Sequence, residues 1–161
     1  NDDVTPIDLV KIVSDVVNEV QTVYPQKIIS NLPEQLLFPI KPTDFRNIAH
    51  NLVENAAKYS PADSEINVVL KKQADKLLFQ VADHGIGISQ ENREKIFERF
   101  YREDKSHSSK VGGYGLGLAI VKAEVDKYHG QITVEDNTPQ GTIFSVYLPK
   151  EKWRNLHLNS I

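Results

Sequence analysis

At 161 residues, with 40% hydrophobic and 25% charged content, the chain has the length and composition of one globular domain with a real core. The absence of cysteine excludes a disulfide framework, thiolate chemistry and cysteine-based zinc sites, and a formal net charge of -3 argues against a broad nucleic-acid footprint. No apolar run approaches the roughly 18 residues of a membrane span, and Asn1-Asp2-Asp3 lacks the basic and apolar regions of a signal peptide, so a soluble domain is expected.

Thr5-Pro6-Ile7-Asp8 predicts a helix start, with Thr5 as the cap, Pro6 in the first helical position and Asp8 set against the helix dipole. The helix should run from Pro6 to about Val23. Its stripe of Leu9, Val10, Val13, Val16, Val17 and Val20 needs a partner surface, and Tyr24-Pro25 stops it. Lys27 to Leu32 and Leu36 to Ile40 are short apolar runs separated by Pro33, which suits two edge strands.

Pro42 opens a second helix, and its stretch from Phe45 to Tyr59 organises the chain. Phe45, Ile48, Ala49, Leu52, Val53 and Ala56 recur at helical steps and form a core face. Asn47, Asn51 and Asn55 repeat every four residues, with Lys58 following, so amides and one ammonium line the adjoining edge. Asparagine is a mediocre helix former because its side chain competes for backbone hydrogen bonds, so this register needs a compensating reason. The edge reads as a site, with a solvated polar flank as the competing reading.

Beyond the turn cluster Ser60 to Ser64, Glu65 to Lys72 and Lys76 to Asp83 predict an antiparallel strand pair joined through Gln73-Ala74-Asp75. From Asp83 to Gly117 the chain is loop-like, with one short helix expected from Gln90 to Phe97. Leu116 to Tyr128 predicts a helix that His129-Gly130 ends, the glycine taking the left-handed capping conformation. Ile132 to Glu135 and Thr142 to Leu148 predict a closing strand pair, and the segment from Lys150 to Ile161 carries no clear pattern. The fold expected is α+β, a two-layer α/β sandwich with helices on one face of a mixed, mostly antiparallel sheet.

Asp83-His84-Gly85-Ile86-Gly87 follows a predicted strand, where glycines let the backbone turn and approach a flat ligand. Its carboxylate can accept a hydrogen bond from an exocyclic amino group, although the same pattern also serves as a plain strand-ending turn. Gly112-Gly113-Tyr114-Gly115-Leu116-Gly117-Leu118 leads into a helix, where backbone amides form an anion site; a hinge before a helix is the alternative. It is neither a dinucleotide fingerprint, which needs a βαβ unit, nor a P-loop, which needs Gly-Lys-Ser/Thr. Between them, Phe97-Glu98-Arg99-Phe100-Tyr101-Arg102 and the serine- and lysine-rich run to Lys110 have the make-up of a mobile lid over a polyphosphate, against a solvated basic loop. Arg102 is the first choice for a phosphate contact, because a guanidinium grips two oxygens at once. Of the histidines, only His50 with Glu54 has metal-ligand spacing, and without a third ligand it reads as a surface pair.

With these pieces in order, the chain resembles the catalytic and ATP-binding domain of a bacterial sensor histidine kinase, in the superfamily of gyrase, heat-shock chaperone, MutL and kinase ATPases. Asn51 to Tyr59 matches the N box, Asp83 to Gly87 the first glycine box, Phe97 to Arg102 the F box, Gly113 to Leu118 the second glycine box and Gly141-Thr142-Ile143-Phe144 the last glycine motif. The resemblance reaches from the first helix to Leu148. It implies the Bergerat ATP-binding fold, ATP and Mg2+ as cofactors, Asn55 as the metal ligand, and Asn51, Lys58 and Arg102 around the phosphates as the catalytic set. Tyr59 would flank the nucleotide, Asp83 would read the adenine amino group, and Gly113, Gly115 and Gly117 would let the lid close. Gly85, Gly87, Phe100, Leu116, Leu118 and Thr142 complete the nucleotide-binding set implied by those motifs.

Hydrolysing relatives carry a water-activating glutamate four residues before the metal-binding asparagine. Here that position is Asn51, and an amide cannot act as a general base, which favours phosphoryl transfer to a protein nucleophile. No histidine has the acidic neighbour and Thr-Pro-Leu-like run of the kinases' phosphoacceptor. The expectation is therefore a monomeric catalytic half, residues 1–150 with a tail of 151–161, whose partners are a separate histidine phosphoacceptor and dimerisation domain and a response regulator, in a homodimeric parent. The same resemblance implies a cytoplasmic domain and allows a membrane-anchored parent. A serine kinase of the anti-sigma-factor type and a module that binds nucleotide only as a regulatory ligand are the competing functions.

Overall fold

The computed structural model describes residues 4–98 and 117–149. In chain order these form β1 (Pro6–Asp8), α1 (Leu9–Val23), β2 (Lys27–Asn31), β3 (Leu37–Pro39), α2 (Pro42–Lys58), β4 (Glu65–Gln73) and β5 (Lys76–Ala82). Two 3-10 turns, Gln90–Asn92 and Lys95–Phe97, precede α3 (Gly117–Lys127), β6 (Gln131–Asp136) and β7 (Thr142–Pro149).

The first helix begins later than expected. Pro6 lies in β1, and Asp8, not Thr5, is the cap: its Oδ1 accepts from the Val10 N–H at 3.1 Å and from the Leu36 N–H at 3.1 Å. A carboxylate that satisfies one orphan helix donor and one donor from another segment outcompetes a hydroxyl placed three residues earlier. Its second bond also ties α1 to the segment entering β3, which pairs antiparallel with β1. Pro42, by contrast, occupies the first turn of α2 as its fixed φ favours.

The main sheet has the order β2-β4-β5-β7-β6. Only β2 and β4 run parallel; every other pairing in it is antiparallel. The two apolar runs flanking Pro33 are edge strands as expected, but of different sheets, β2 beside β4 and β3 beside β1. The β4–β5 hairpin turns through Ala74, held at φ 58°. Strands β4, β5 and β7 send alternate residues into the core, Ile66, Val68 and Leu70, then Leu77, Phe79 and Val81, then Phe144, Val146 and Leu148. The helices cover that face, with α2 between α1 and α3, giving the two-layer α+β sandwich read from the sequence.

Helix α2 carries the centre of the core. Phe45, Ile48, Ala49, Leu52 and Val53 are each 0% exposed, and the Phe45 ring meets Phe79 of β5 edge to face at 5.6 Å. Burial of each large side chain in this set contributes roughly 1.5–3 kcal/mol, so sliding α2 along its neighbours is expensive. The expected helix from Gln90 to Phe97 is instead the pair of 3-10 turns, with only Ile96 buried. Apolar anchors confined to Ile96 and the partly buried Phe97 at one end are too little to stabilise a continuous short helix.

The far end of α3 is latched to the start of α2. Tyr128 donates its hydroxyl proton to Asp44 Oδ2 at 2.5 Å and accepts from the Lys41 N–H at 3.1 Å, while Lys127 Nζ donates to the same carboxylate at 3.1 Å. Burial alone would raise the Asp44 carboxyl, but the Tyr128 hydroxyl and the Lys127 ammonium outweigh it and hold the group below its usual range. The turn that follows corrects the expected cap: His129 takes the left-handed conformation at φ 59°, and Gly130 is required for space, since a Cβ there would stand 2.4 Å from Tyr147 O.

Asp44→Ala should destabilise the domain by about 2 kcal/mol at pH 7, because it removes two hydrogen bonds to a charged group. A carboxylate with a depressed folded pKa contributes its stability above the unfolded value of about 3.9 and loses it as pH falls through the folded value. Urea unfolding should therefore show wild type and variant far apart at pH 7 and converging below about pH 4.

Candidate functional site

The polar edge of α2 is ordered by its neighbours. Asn47 donates through Nδ2 to Glu124 Oε2 of α3 at 3.1 Å, and Asn51 donates back to Asn47 O at 2.7 Å. That bond turns Asn51 Oδ1 toward the start of α3, where a Cβ on Gly117 would lie 3.1 Å from it. Glycine at this point thus lets the α3 terminus come close to the N-box amide. Asn55 is half-buried, and no described side chain bonds to its amide; Lys58 is exposed in the last turn. Glu54 accepts from the Tyr24 hydroxyl at 3.3 Å, and no cluster of three metal-ligating His, Asp or Glu exists among the described residues.

Asp83 follows the end of β5 and is 4% exposed. Its N–H donates to Thr142 O at 2.9 Å, and its Oδ1 accepts from the Gly85 N–H at 2.8 Å and the Thr142 N–H at 3.3 Å. Burial raises the Asp83 carboxyl above the ordinary range, and these two amide bonds only partly offset it. A carboxylate so placed costs stability, which is the usual signature of a group kept for a ligand.

The two polar regions meet at one contact. A Cβ on Gly85 would stand 2.0 Å from Tyr59 O, so the loop carrying Asp83 packs directly on the residue that caps the C-terminus of α2, and only glycine fits. Gly87 adopts φ 81° one step further on. A residue that sequence reasoning missed holds the other side of this joint. Gln26, 3% exposed, donates through Nε2 to Ala57 O at 2.7 Å and Ser60 O at 2.8 Å, capping the C-terminus of α2. A lone glutamine after Tyr24-Pro25 has no periodicity to betray it; only the fold brings it to residues more than thirty positions away.

Of the remaining expected site residues, Thr142 lies against Asp83 through its backbone, and Leu118 is 1% exposed within the core. Phe97 packs edge to face on Phe144 at 6.4 Å, which anchors the start of the F box. Phe100, Arg102, Gly113, Gly115 and Leu116, with the expected lid from Arg99 onward and the tail 151–161, lie outside the described residues.

Residues 40–152 match the family model described as histidine kinase-, DNA gyrase B-, and HSP90-like ATPase. The chain belongs to this family. The ATPase-family domain is 48% identical over 95 residues to the sensor protein CiaH of Streptococcus pneumoniae, covering 59% of this chain and 21% of that protein. It is 34% identical over 148 residues to the sensor histidine kinase WalK of Bacillus subtilis, covering 89% of this chain and 24% of WalK. The chain thus spans between a fifth and a quarter of the length of these curated relatives. Among solved structures it superposes on the mycobacterial sensor histidine kinase MprB with a TM-score of 0.79 at 27% identity, over 91% of this chain and 97% of that one. WalK and MprB are named sensor histidine kinases and CiaH a sensor protein, and neither the serine-kinase nor the regulatory-module reading is favoured. No helix among the described residues is long and apolar enough to cross a membrane.

The raised Asp83 carboxyl carries a measurable cost. A carboxyl with a raised folded pKa contributes stability below its unfolded value of about 3.9 and loses it as pH rises through the folded value. Asp83→Asn, which keeps the oxygen that accepts from Gly85 and Thr142, should therefore melt higher than wild type at pH 7 and lose that advantage below about pH 4. Calorimetric melting at the two pH values checks this.

Proposed function

We propose that this domain binds Mg-ATP and transfers the γ-phosphate to a histidine on a separate phosphoacceptor and dimerisation domain, as the catalytic part of a sensor kinase that passes the phosphate to a response regulator. The observation that carries the reading is the Tyr59–Gly85 contact, which sets the amide edge of α2 beside a buried carboxylate with a raised pKa. The carboxylate suits an exocyclic amino group of a base, and the edge of amides and ammonium suits the phosphates and a cation. Residues 1–150 would form the catalytic domain and 151–161 a tail, within a homodimeric parent whose anchoring in the cell membrane is part of the same proposal.

Asn55 is the residue suited to hold magnesium. Its half-buried amide is engaged by no described side chain. With no acidic cluster nearby among the described residues, the other oxygens would come from phosphates and water, as Mg2+ prefers. The bound ion would supply charge neutralisation on the phosphates. The chain's own residues would do the rest by placement. Asp83 reads the base, with Gly85, Gly87 and Thr142 shaping its surroundings, and Tyr59 flanks it. Asn51 and Lys58 sit beside the phosphates, where the sequence also offers Arg102 and the lid glycines Gly113 and Gly115. Asn51 supplies no general base, so water is activated poorly and transfer to a positioned nucleophile dominates.

Asn55→Ala should lower magnesium-dependent affinity for an ATP analogue by about tenfold or more while leaving the melting temperature nearly unchanged, since it opens no core cavity. Titration calorimetry with and without magnesium decides it. Given labelled Mg-ATP alone, the domain should turn over slowly and acquire no stable label; an added upstream histidine hairpin should become labelled in acid-labile form. Acid-stable label on a serine, or brisk hydrolysis, would overturn the proposal.

A further inference from the structure

The loop between β6 and β7 has no role in the chemistry above, yet it is fastened to the segment carrying Asp83 at several points. Asn137 Nδ2 donates to Asp83 O at 2.8 Å, and Gln140 Nε2 donates to Gly85 O at 2.8 Å. The loop is itself closed: the Asn137 N–H donates to Gly141 O at 3.1 Å, and Asn137 Oδ1 accepts from the Thr138 N–H at 2.8 Å. At its end Gly141 adopts φ 126°, and a Cβ there would stand 2.0 Å from Asp83 O. From the other side Arg93 donates through Nε to Ile88 O at 3.3 Å and pairs with Asp136 of β6 at 2.5 Å.

We infer that Asn137 and Gln140 are positioning residues for base recognition, a side-chain clasp that fixes the backbone around Asp83 so that its carboxylate holds one direction in the candidate nucleotide site. The inference rests on the ATP-binding reading. The segment 83–87 contains two glycines and on its own would sample many backbone states. A hydrogen bond that discriminates one base from another tolerates errors of only a few tenths of an ångström. The carbonyls of Asp83 and Gly85 each accept a bond from a side-chain amide of a single neighbouring loop, and these two carbonyls flank the recognising carboxylate. Because Gln140 is exposed and Asn137 only half-buried, their substitution opens no cavity in the core. Removing either donor frees the loop without unfolding the domain. Adenine presents an amino group where guanine presents a carbonyl oxygen, so a loosened Asp83 loses discrimination between them as well as affinity.

The test uses Asn137→Asp, which keeps an oxygen for the Thr138 N–H but donates nothing to Asp83 O, and Gln140→Met, which keeps the length and removes the donor. Gln140→Lys returns a donor at the same position. Dissociation constants for ATP and GTP are measured beside melting temperature and the amide exchange rate of Gly85 without nucleotide. Each donor-less variant should bind ATP about three- to tenfold more weakly, with a smaller ATP-to-GTP preference, faster Gly85 exchange and little change in melting. Gln140→Lys should recover most of the loss. ATP affinity and Gly85 exchange that both match a nucleotide-binding wild type overturn the clasp alone, as does parallel loss of ATP and GTP with a fall in melting temperature. A wild-type domain that binds no nucleotide overturns the functional reading and the clasp with it.

Discussion

Everything in this domain depends on the one-sided burial of α2. Its apolar face is closed in by α1, α3 and the sheet, with Phe45, Ile48, Ala49, Leu52 and Val53 all fully enclosed. Interiors packed at crystal-like density resist both rotation and translation. The amides that border this face therefore inherit its precision. Asn51 and Asn55 do not have to be held by a network of their own, since the helix that carries them cannot turn without breaking the core. The Asn47–Glu124 bond and the Tyr128–Asp44 latch then set where α3 lies along it.

The second half of the site is built on the opposite principle. The Asp83 loop has little apolar surface to anchor it; instead it is placed by close backbone approach and by amide side chains. Gly85 sits on Tyr59 O, Gly141 sits on Asp83 O, and Asn137 and Gln140 bond to the carbonyls between them. Packing fixes one wall and polar bonds fix the other. Gln26 belongs to the joint, because it terminates α2 at the point where the loop begins to touch it. Its Oε1 is buried without a partner among the described residues, a cost that the two capping bonds from the same amide offset.

The buried Asp83 costs the fold stability, and under the proposed function that cost serves base recognition. An ionised carboxylate in a nearly closed position costs free energy, and the amides that face it recover only part. Asp44 is also enclosed, yet its hydroxyl and ammonium partners more than compensate for that burial, so its pKa moves the other way. Partners and depth together separate the two aspartates: Asp44 is answered by a hydroxyl and an ammonium, whereas Asp83 is met only by backbone amides, which suits the ligand-reading role proposed for it.

Much of this could be read from the chain by itself. The 3.6-residue period of Phe45 to Ala56, the four-residue spacing of the asparagines, the strand alternation and the glycine-rich motifs are local patterns, set by helix and strand geometry before any tertiary contact forms. Local chemistry misled where two segments compete. Asp8 displaced Thr5 as a cap because Leu36 also needed an acceptor, and the left-handed turn fell on His129 while Gly130 serves instead by lacking a Cβ beside Tyr147 and Leu148. The sheet order, the parting of β2 and β3 into different sheets, and the parts played by Gln26, Asn137 and Gln140 are tertiary decisions. A side chain bonded to a carbonyl thirty-one or fifty-five positions away leaves no spacing to detect, because that closeness exists only once the core has brought the segments together.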